Sequence, residues 1–540
     1  MKKLRIIFIT LFIAHFAFSQ QKPNVIYIYA DDLGYGDVSY NGATKLNTPN
    51  IDQLANQGIV FSNGHTTSAT CTPSRYALMT GRYPWRQEGT GILPGDAALI
   101  IPANKTTLPL VFQQAGYQTG IVGKWHLGLG EAVQKNWNAT IKPGPNEVGF
   151  NFSYIFPATA DRVPTVFIEN GNVVGLDLND PIKVSYKEKL GDDPTGKEHP
   201  ELLKMHTDPI QGHDQTIVNN IGRIGYMTGG KTARWTDEEL SFTFLEKAKQ
   251  FMEGNKSKPF FLYFASTEPH VPRMPATMFK GKSGLGFRGD AILQLDWIVG
   301  EIVSKLKALG IEKNTMIIFS SDNGPVLNDG YIDGSITELN GHTPLGPLRG
   351  GKSSIFEGGN RVPFIVSWPG TIQHQVSPAL VSQIDLLASF ASYFKFKIPN
   401  GEAIDSENHM SALLGKTKQG RTTYIEHAGT LAIVSGDWKY IVPSKGNAIT
   451  YATNIETGNA TIPQLYNLKD DIGEKNNLAN QFPEKVAALE LLLNQIKEKN
   501  NIRLIWECFP RSCTPMKNKR NNLEVGNGNP PLYLAKKSFK

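Results

Sequence analysis

Cysteine is scarce in this chain, with three residues in 540, at positions 71, 508 and 513. No segment beyond the N-terminus is long and apolar enough to cross a bilayer. No cysteine follows the N-terminal apolar run, so a lipid anchor would lack its attachment point. Basic residues are dispersed and the net charge is a mild +6, which argues against a nucleic-acid-binding arm and is as consistent with an ordinary basic surface as with attraction of an anionic substrate. No internal repeat is visible, so the length is not that of an array. What remains is a chain of ordinary globular composition, 40% hydrophobic, too long for one ordinary domain and suited to one large domain plus a smaller one.

The first residues, MKKLRIIFITLFIAHFAFSQ, place Lys2, Lys3 and Arg5 ahead of an apolar run to Phe18. Ala17-Phe18-Ser19 is a small-x-small cleavage site before Gln20, so residues 1–19 read as a signal peptide and the mature chain is expected in the periplasm or outside the cell. In an oxidising compartment Cys508 and Cys513, which flank the short CFPRSC loop, form the candidate disulfide. Cys71 is then left over, and a leftover thiol in an exported protein needs an explanation.

Continuous apolar runs predict strands buried on both faces: 24–30, 119–126, 259–266, 315–321 and 361–370. Helical periodicity predicts helices over 107–116 and 290–310, the latter stopped by Gly310. Strands alternating with helices imply an α/β fold with a large, mostly parallel mixed sheet flanked by helices. In such sheets ligands gather beyond the carboxyl ends of the strands, where Asp31-Asp32, Lys124, His126, His270 and Asp322-Asn323 all fall. After about residue 415 short strand candidates (TTYIEH, LAIVSGDWKYIV, PQLYNL) precede an amphipathic helix over 483–500. The expected organisation is a catalytic domain over 20–415 and a small C-terminal α+β subdomain with an antiparallel sheet over 416–540. Residues 160–235 are irregular and read either as a substrate rim or as a surface excursion.

Cys71 opens the stretch CTPSRYALMTGR. Thr72 suits an N-cap, Pro73 a first helical position and Gly81 a helix stop, so Cys71 is expected just before a short helix whose amino end favours an anion. Arg75 lies about one turn on and can reach the same end. Asp31-Asp32 and Asp322-Asn323 offer hard oxygen ligands suited to Ca²⁺ or Mg²⁺ rather than zinc.

This stretch resembles the signature of the type I sulfatases, in the alkaline phosphatase superfamily, in which the cysteine of C-x-P-S-R is oxidised after translation to formylglycine. The blocks GKWHLG, EPHVP and LRGGKSSIFEGGNRVP resemble later sulfatase blocks and are in the same order. The resemblance implies an alkaline phosphatase-like fold and a sulfuric ester hydrolase acting through formylglycine at Cys71. It implies a cation, Ca²⁺ by preference, on Asp31, Asp32, Asp322, Asn323 and residue 71. Arg75, Lys124 and Lys352 are then expected to hold the sulfate. His126 is expected to take a proton from the second hydroxyl of the aldehyde hydrate, and His270 to protonate the departing alcohol with help from Lys352. A maturase partner during biogenesis follows from the modification. Some arylsulfatases carry a sulfate-contacting serine between the K-x-H and P-H blocks. Here Thr159 is the stand-in, and Asp161 and Arg162 are candidates to contact the sugar. The DRVPTVFIEN stretch looks closest to bacterial relatives of galactosamine-6-sulfatase, pointing to a 6-O-sulfated galactose or N-acetylgalactosamine unit of a sulfated polysaccharide. Two rival readings stay open: a phosphonate monoester or phosphodiester hydrolase of the same superfamily, and a non-catalytic glycan-binding protein with an unconverted cysteine.

Overall fold

The computed structural model describes residues 22–499, apart from positions 133 and 209. Residues 1–19, read above as a signal peptide, and the candidate Cys508–Cys513 disulfide lie outside the described residues. Among the described residues no helix is long and apolar enough to cross a membrane.

A ten-stranded sheet organises the chain, in the order Gln375–Ser377, Gly58–Phe61, Phe364–Ser367, Thr315–Ser321, Asn24–Ala30, Phe260–Ala265, Gln118–Lys124, Phe152–Phe156, Ile168–Glu169 and Asn172–Val173. The run from Thr315–Ser321 to Phe152–Phe156 is parallel, and antiparallel pairing begins on either side of it. The Asn24–Ala30 strand shows why this centre is apolar throughout. Side chains alternate across a strand, so Tyr27 and Tyr29 enter one core while Ile26 and Ile28 enter the other. The first core is shared with Tyr76 and Leu78 of the Cys71–Thr80 helix, Val111 and Phe112 of Leu108–Gln114, and Phe390 of Leu386–Tyr393. The second is shared with Leu245 of Leu240–Gly254 and with Leu295 and Ile298 of Gly286–Ala308.

The 290–310 periodicity marks a helix that in fact begins four residues earlier, at Gly286. Its first turn is settled by a tertiary contact: Arg288 donates to both oxygens of Asp37, and both side chains are buried. A separate four-stranded antiparallel sheet follows, Thr423–Ala428, Thr430–Ser435, Trp438–Ile441 and Gln464–Asn467, covered by the Pro483–Glu498 helix. The segment read as one strand candidate, LAIVSGDWKYIV, folds back on itself at Gly436, whose φ of 59° suits glycine.

Candidate active site

Parallel pairing brings the chemistry to one edge. Ala30 is in register with Ser321, Tyr29 with Ala265, and Ala265 with Gly123. The residues that follow, Asp31-Asp32, Asp322-Asn323, Thr267 to His270 and Lys124 to His126, therefore emerge side by side. Asp31 N–H donates to the Glu268 carbonyl at 3.0 Å, tying two of these turns together.

Cys71 sits slightly differently from the sequence expectation. The helix runs Cys71–Thr80 with Thr70 at the N-cap, so Cys71 is its first residue rather than the residue before it. Thr72 does not cap; its hydroxyl donates to the His126 carbonyl at 3.1 Å, binding the helix start to the next block. Gly81 closes the helix in the left-handed region, at φ 62°. Cys71 is 1% exposed. Burial raises its pKa, and Lys124 and Lys352 offset that only in part. As a thiol it stays protonated at neutral pH, which makes it a weak nucleophile.

Three cations and four aspartates interlock around it. Lys124 Nζ donates to both Asp31 oxygens, at 2.8 and 2.7 Å. Lys352 Nζ bridges Asp32 Oδ2 at 2.8 Å and Asp329 Oδ2 at 2.9 Å. Arg75 gives Nε and Nη2 to Asp322 Oδ2 at 3.0 and 2.8 Å, and Nη1 to the Lys124 carbonyl and Tyr263 hydroxyl at 3.3 Å. Burial pushes Asp31 well above the usual carboxylate range against the pull of Lys124. At Asp32 the two lysines outweigh burial and hold the carboxyl low. Asp32, His126 and Ser353 all have positive φ, of 64°, 55° and 71°, so backbone strain is concentrated here.

The oxygen set fits a divalent cation. Asp31, Asp32 and His270 present ligand atoms within 4.8 Å of one another. Asn323 Nδ2 donates to Asp32 Oδ1 at 2.6 Å, which leaves Asn323 Oδ1 buried with no partner. An orphaned buried acceptor is costly, and a cation would satisfy it.

The histidines can be assigned from their acceptors. His126 Nε2 lies 2.9 Å from the Leu93 carbonyl, so Nε2 carries the hydrogen and Nδ1, buried and unpartnered, is bare. Burial, then Lys124 and Arg162, hold this ring neutral by pushing its pKa well below the ordinary value. His270 Nδ1 donates to the Val271 carbonyl at 2.7 Å, so its Nε2, 3.8 Å from Asp32 Oδ2, is the accepting atom of the neutral ring. Burial, then Lys352 and Lys124, keep that ring neutral too.

A cavity of about 250 Å³ brings Cys71, His270 and Lys352 together with Asp161, Arg162 and His213. Thr159 is buried behind this wall, and its hydroxyl accepts from Arg162 Nη1. The irregular 160–235 segment thus supplies a rim, contributing Asp161, Arg162, Gln211, His213 and Ile224. Sequence reasoning missed Asp329 and His213. Neither sits in a recognisable block, and both enter the site through pairing partners distant in the chain.

Fold and site together define an alkaline phosphatase-like hydrolase. A sulfatase family model matches residues 23–396. The chain is 53% identical over 483 residues to N-acetylgalactosamine-6-O-sulfatase of Bacteroides thetaiotaomicron, covering 89% of this chain and 94% of that protein. It is 31% identical over 497 residues to human arylsulfatase A, covering 87% of each. A solved structure from work on the metabolism of multiple glycosaminoglycans by Bacteroides thetaiotaomicron matches with a TM-score of 0.87 at 53% identity, over 89% of this chain and 100% of that one. The chain belongs to the sulfatase family and is a sulfuric ester hydrolase.

Proposed function

We propose that this enzyme removes the 6-O-sulfate from N-acetylgalactosamine, or from galactose, in a sulfated glycan, after export and after conversion of Cys71 to formylglycine by a maturase. The observation that carries the reading is the placement of Cys71 at a helix start, in one cavity with Lys352 and with His270, whose ring clusters with the Asp31 and Asp32 oxygens. The printed activity of the half-identical Bacteroides relative supports the sugar and the position.

Asp31, Asp32, Asp322 and Asn323, with residue 71, would hold Ca²⁺, or Mg²⁺ on the same oxygens. The aldehyde hydrate at position 71 and this cation supply an activated hydroxyl as nucleophile. The chain's own residues do the rest. Arg75 donates to Asp322, the Lys124 carbonyl and Tyr263, so it holds Asp322 in place, and its second Nη2 hydrogen is left for a sulfate oxygen. Lys124 and Lys352 present ammonium groups to the sulfate oxygens and stabilise charge as it develops. His126, neutral with a bare Nδ1, is the proton acceptor that lets the aldehyde re-form. Proton delivery to the departing sugar oxygen falls to the Lys352–His270 pair: Lys352 holds the protons, and His270, which lines the same cavity and whose Nε2 is its accepting atom, can relay one.

The test is sulfate release by matured enzyme across N-acetylgalactosamine and galactose esters sulfated at different positions, with phosphate and phosphonate esters in parallel. Sulfate release confined to 6-O-esters supports the proposal. Faster turnover of the phosphorus esters would favour the phosphonate hydrolase reading. Mass spectrometry of the Cys71 peptide from a maturase-containing host should show the aldehyde; an unmodified thiol there, with no turnover, would favour a glycan-binding protein.

A further inference from the structure

The Asp161 carboxylate faces the cavity from a well-built mount. Arg162 Nη1 donates to both of its oxygens at 3.1 Å. On Oδ2 it also receives the ring nitrogen of His213, at 3.1 Å. An ionised carboxylate only accepts, so His213 Nε2 carries the hydrogen of this bond. Burial works against the carboxylate, but Arg162 and His213 outweigh it and hold Asp161 ionised. The His213 ring is itself fixed: it packs edge-on against Tyr331, with centroids 4.6 Å apart, and its side chain is 3% exposed. Gly330 makes room for it, since a Cβ there would fall 1.9 Å from His213 Nδ1. Tyr331 is anchored in turn by its hydroxyl, which donates to the Gly222 carbonyl at 2.7 Å.

We infer that His213 is a positioning residue that holds Asp161 as the acceptor for a ring hydroxyl of the sugar, with Arg162 presenting donors to the neighbouring oxygen. This rests on the sulfatase reading and gives that site its sugar specificity. Arg162 Nη1 is spent on Asp161 and Thr159, while its Nε and Nη2 donate to nothing among the described residues. An acceptor and free donors side by side match two adjacent hydroxyls on a hexose ring, each of which both gives and takes a hydrogen bond. An aryl sulfate offers neither hydroxyl. A site built to bond a hydroxyl discriminates strongly against ligands that lack it, because its own buried polar groups are then left unpaired.

The test compares matured wild type with His213→Ala and His213→Gln, on the sulfated monosaccharide and on an aryl sulfate, under single-turnover conditions where turnover is slow. In His213→Ala, kcat/KM for the sugar ester should fall by about 10²-fold, the cost of a small misplacement of a positioned group, with the aryl sulfate little changed. His213→Gln, whose amide nitrogen can stand in for Nε2, should recover much of the loss. Circular dichroism of both variants should match wild type. Equal losses on both esters, or no loss on the sugar ester, overturn the inference. If wild type releases sulfate from neither ester, the sulfatase reading itself fails and the inference falls with it.

Discussion

Lys439→Met removes the only ammonium from a cluster of three buried carboxylates. Lys439 lies on the Trp438–Ile441 strand, fully buried, with Nζ 2.7 Å from Glu426 Oε2, 3.0 Å from Glu474 Oε1 and 3.1 Å from Glu357 Oε1. Glu426 belongs to the antiparallel sheet, and Glu357 opens the short Glu357–Asn360 helix just past Lys352. The ammonium therefore ties the C-terminal sheet to the loop that carries Lys352. Methionine keeps an unbranched apolar stem, so the loss is one of charge rather than volume. Arg361 still donates to Glu357 at 2.7 Å, but Glu426 and Glu474 lose their cation. Breaking a buried ion cluster from one side costs about 3–5 kcal/mol. The pH dependence separates charge from packing. In wild type Lys439 and Arg361 hold Glu357 low against burial, so its stabilisation is present above the ordinary carboxylate pKa and is lost as pH falls through the depressed one. Glu474 is already pushed up to about 8 by burial, so it stabilises the fold at low pH and that contribution fades as pH rises toward 8. Without Lys439 the depressed Glu357 rises and the raised Glu474 rises further, the folded state takes up protons that the unfolded state does not, and the deficit should shrink as pH falls from about 8 to about 5. Urea unfolding at both pH values measures this. A deficit that is the same at both, or below about 1 kcal/mol as for an exposed pair, would refute the charge argument.

Cys71→Ala, in enzyme from a maturase-containing host, should lower kcat by on the order of 10⁶-fold, as loss of a nucleophile does; residual turnover near wild type would place the nucleophile elsewhere. Chelation of divalent ions should lower both turnover and the melting temperature. Returning Ca²⁺ at 100 times its Kd should restore about 2.7 kcal/mol, and Asn323→Leu should blunt that thermal shift; a melting temperature indifferent to Ca²⁺ would remove the cation from the oxygen cluster. His126→Gln should reduce kcat by about 10²–10⁴-fold with little change in KM. Because the His126 pKa is held well below its ordinary value, the ring stays a base as pH falls through about 6.5, so the acid limb of the wild-type kcat profile should lie lower still. A limb centred at the ordinary histidine value would contradict the burial seen for this ring.

Much of the central sheet was legible because its strands are buried on both faces, which writes uninterrupted apolar runs into Asn24–Ala30, Phe260–Ala265 and Thr315–Ser321. The two-residue strands Ile168–Glu169 and Asn172–Val173 are too short to carry a period; the first pairs on the edge of Phe152–Phe156 and the second on the first. The first turn of the Gly286–Ala308 helix was hidden for another reason. Gly286 and Gly289 disfavour helix, and the Arg288–Asp37 pairing overrides that preference. Thr72 was read as a cap on its chemistry alone, but the helix starts one residue sooner and its hydroxyl goes to His126 instead.

By itself the sequence determined what is local: which runs are apolar, where a helix starts around Cys71, which blocks resemble a known family, and so which residue types stand at the ends of strands. The tertiary structure alone decided which cation meets which carboxylate. Lys352 reaches Asp32 across 320 positions, and Lys124 reaches Asp31 across 93. His213 reaches Asp161 across 52, and so becomes part of the cavity wall. Such pairings leave no periodic or compositional trace, because they depend on strand register and on how an irregular segment packs back over the sheet edge.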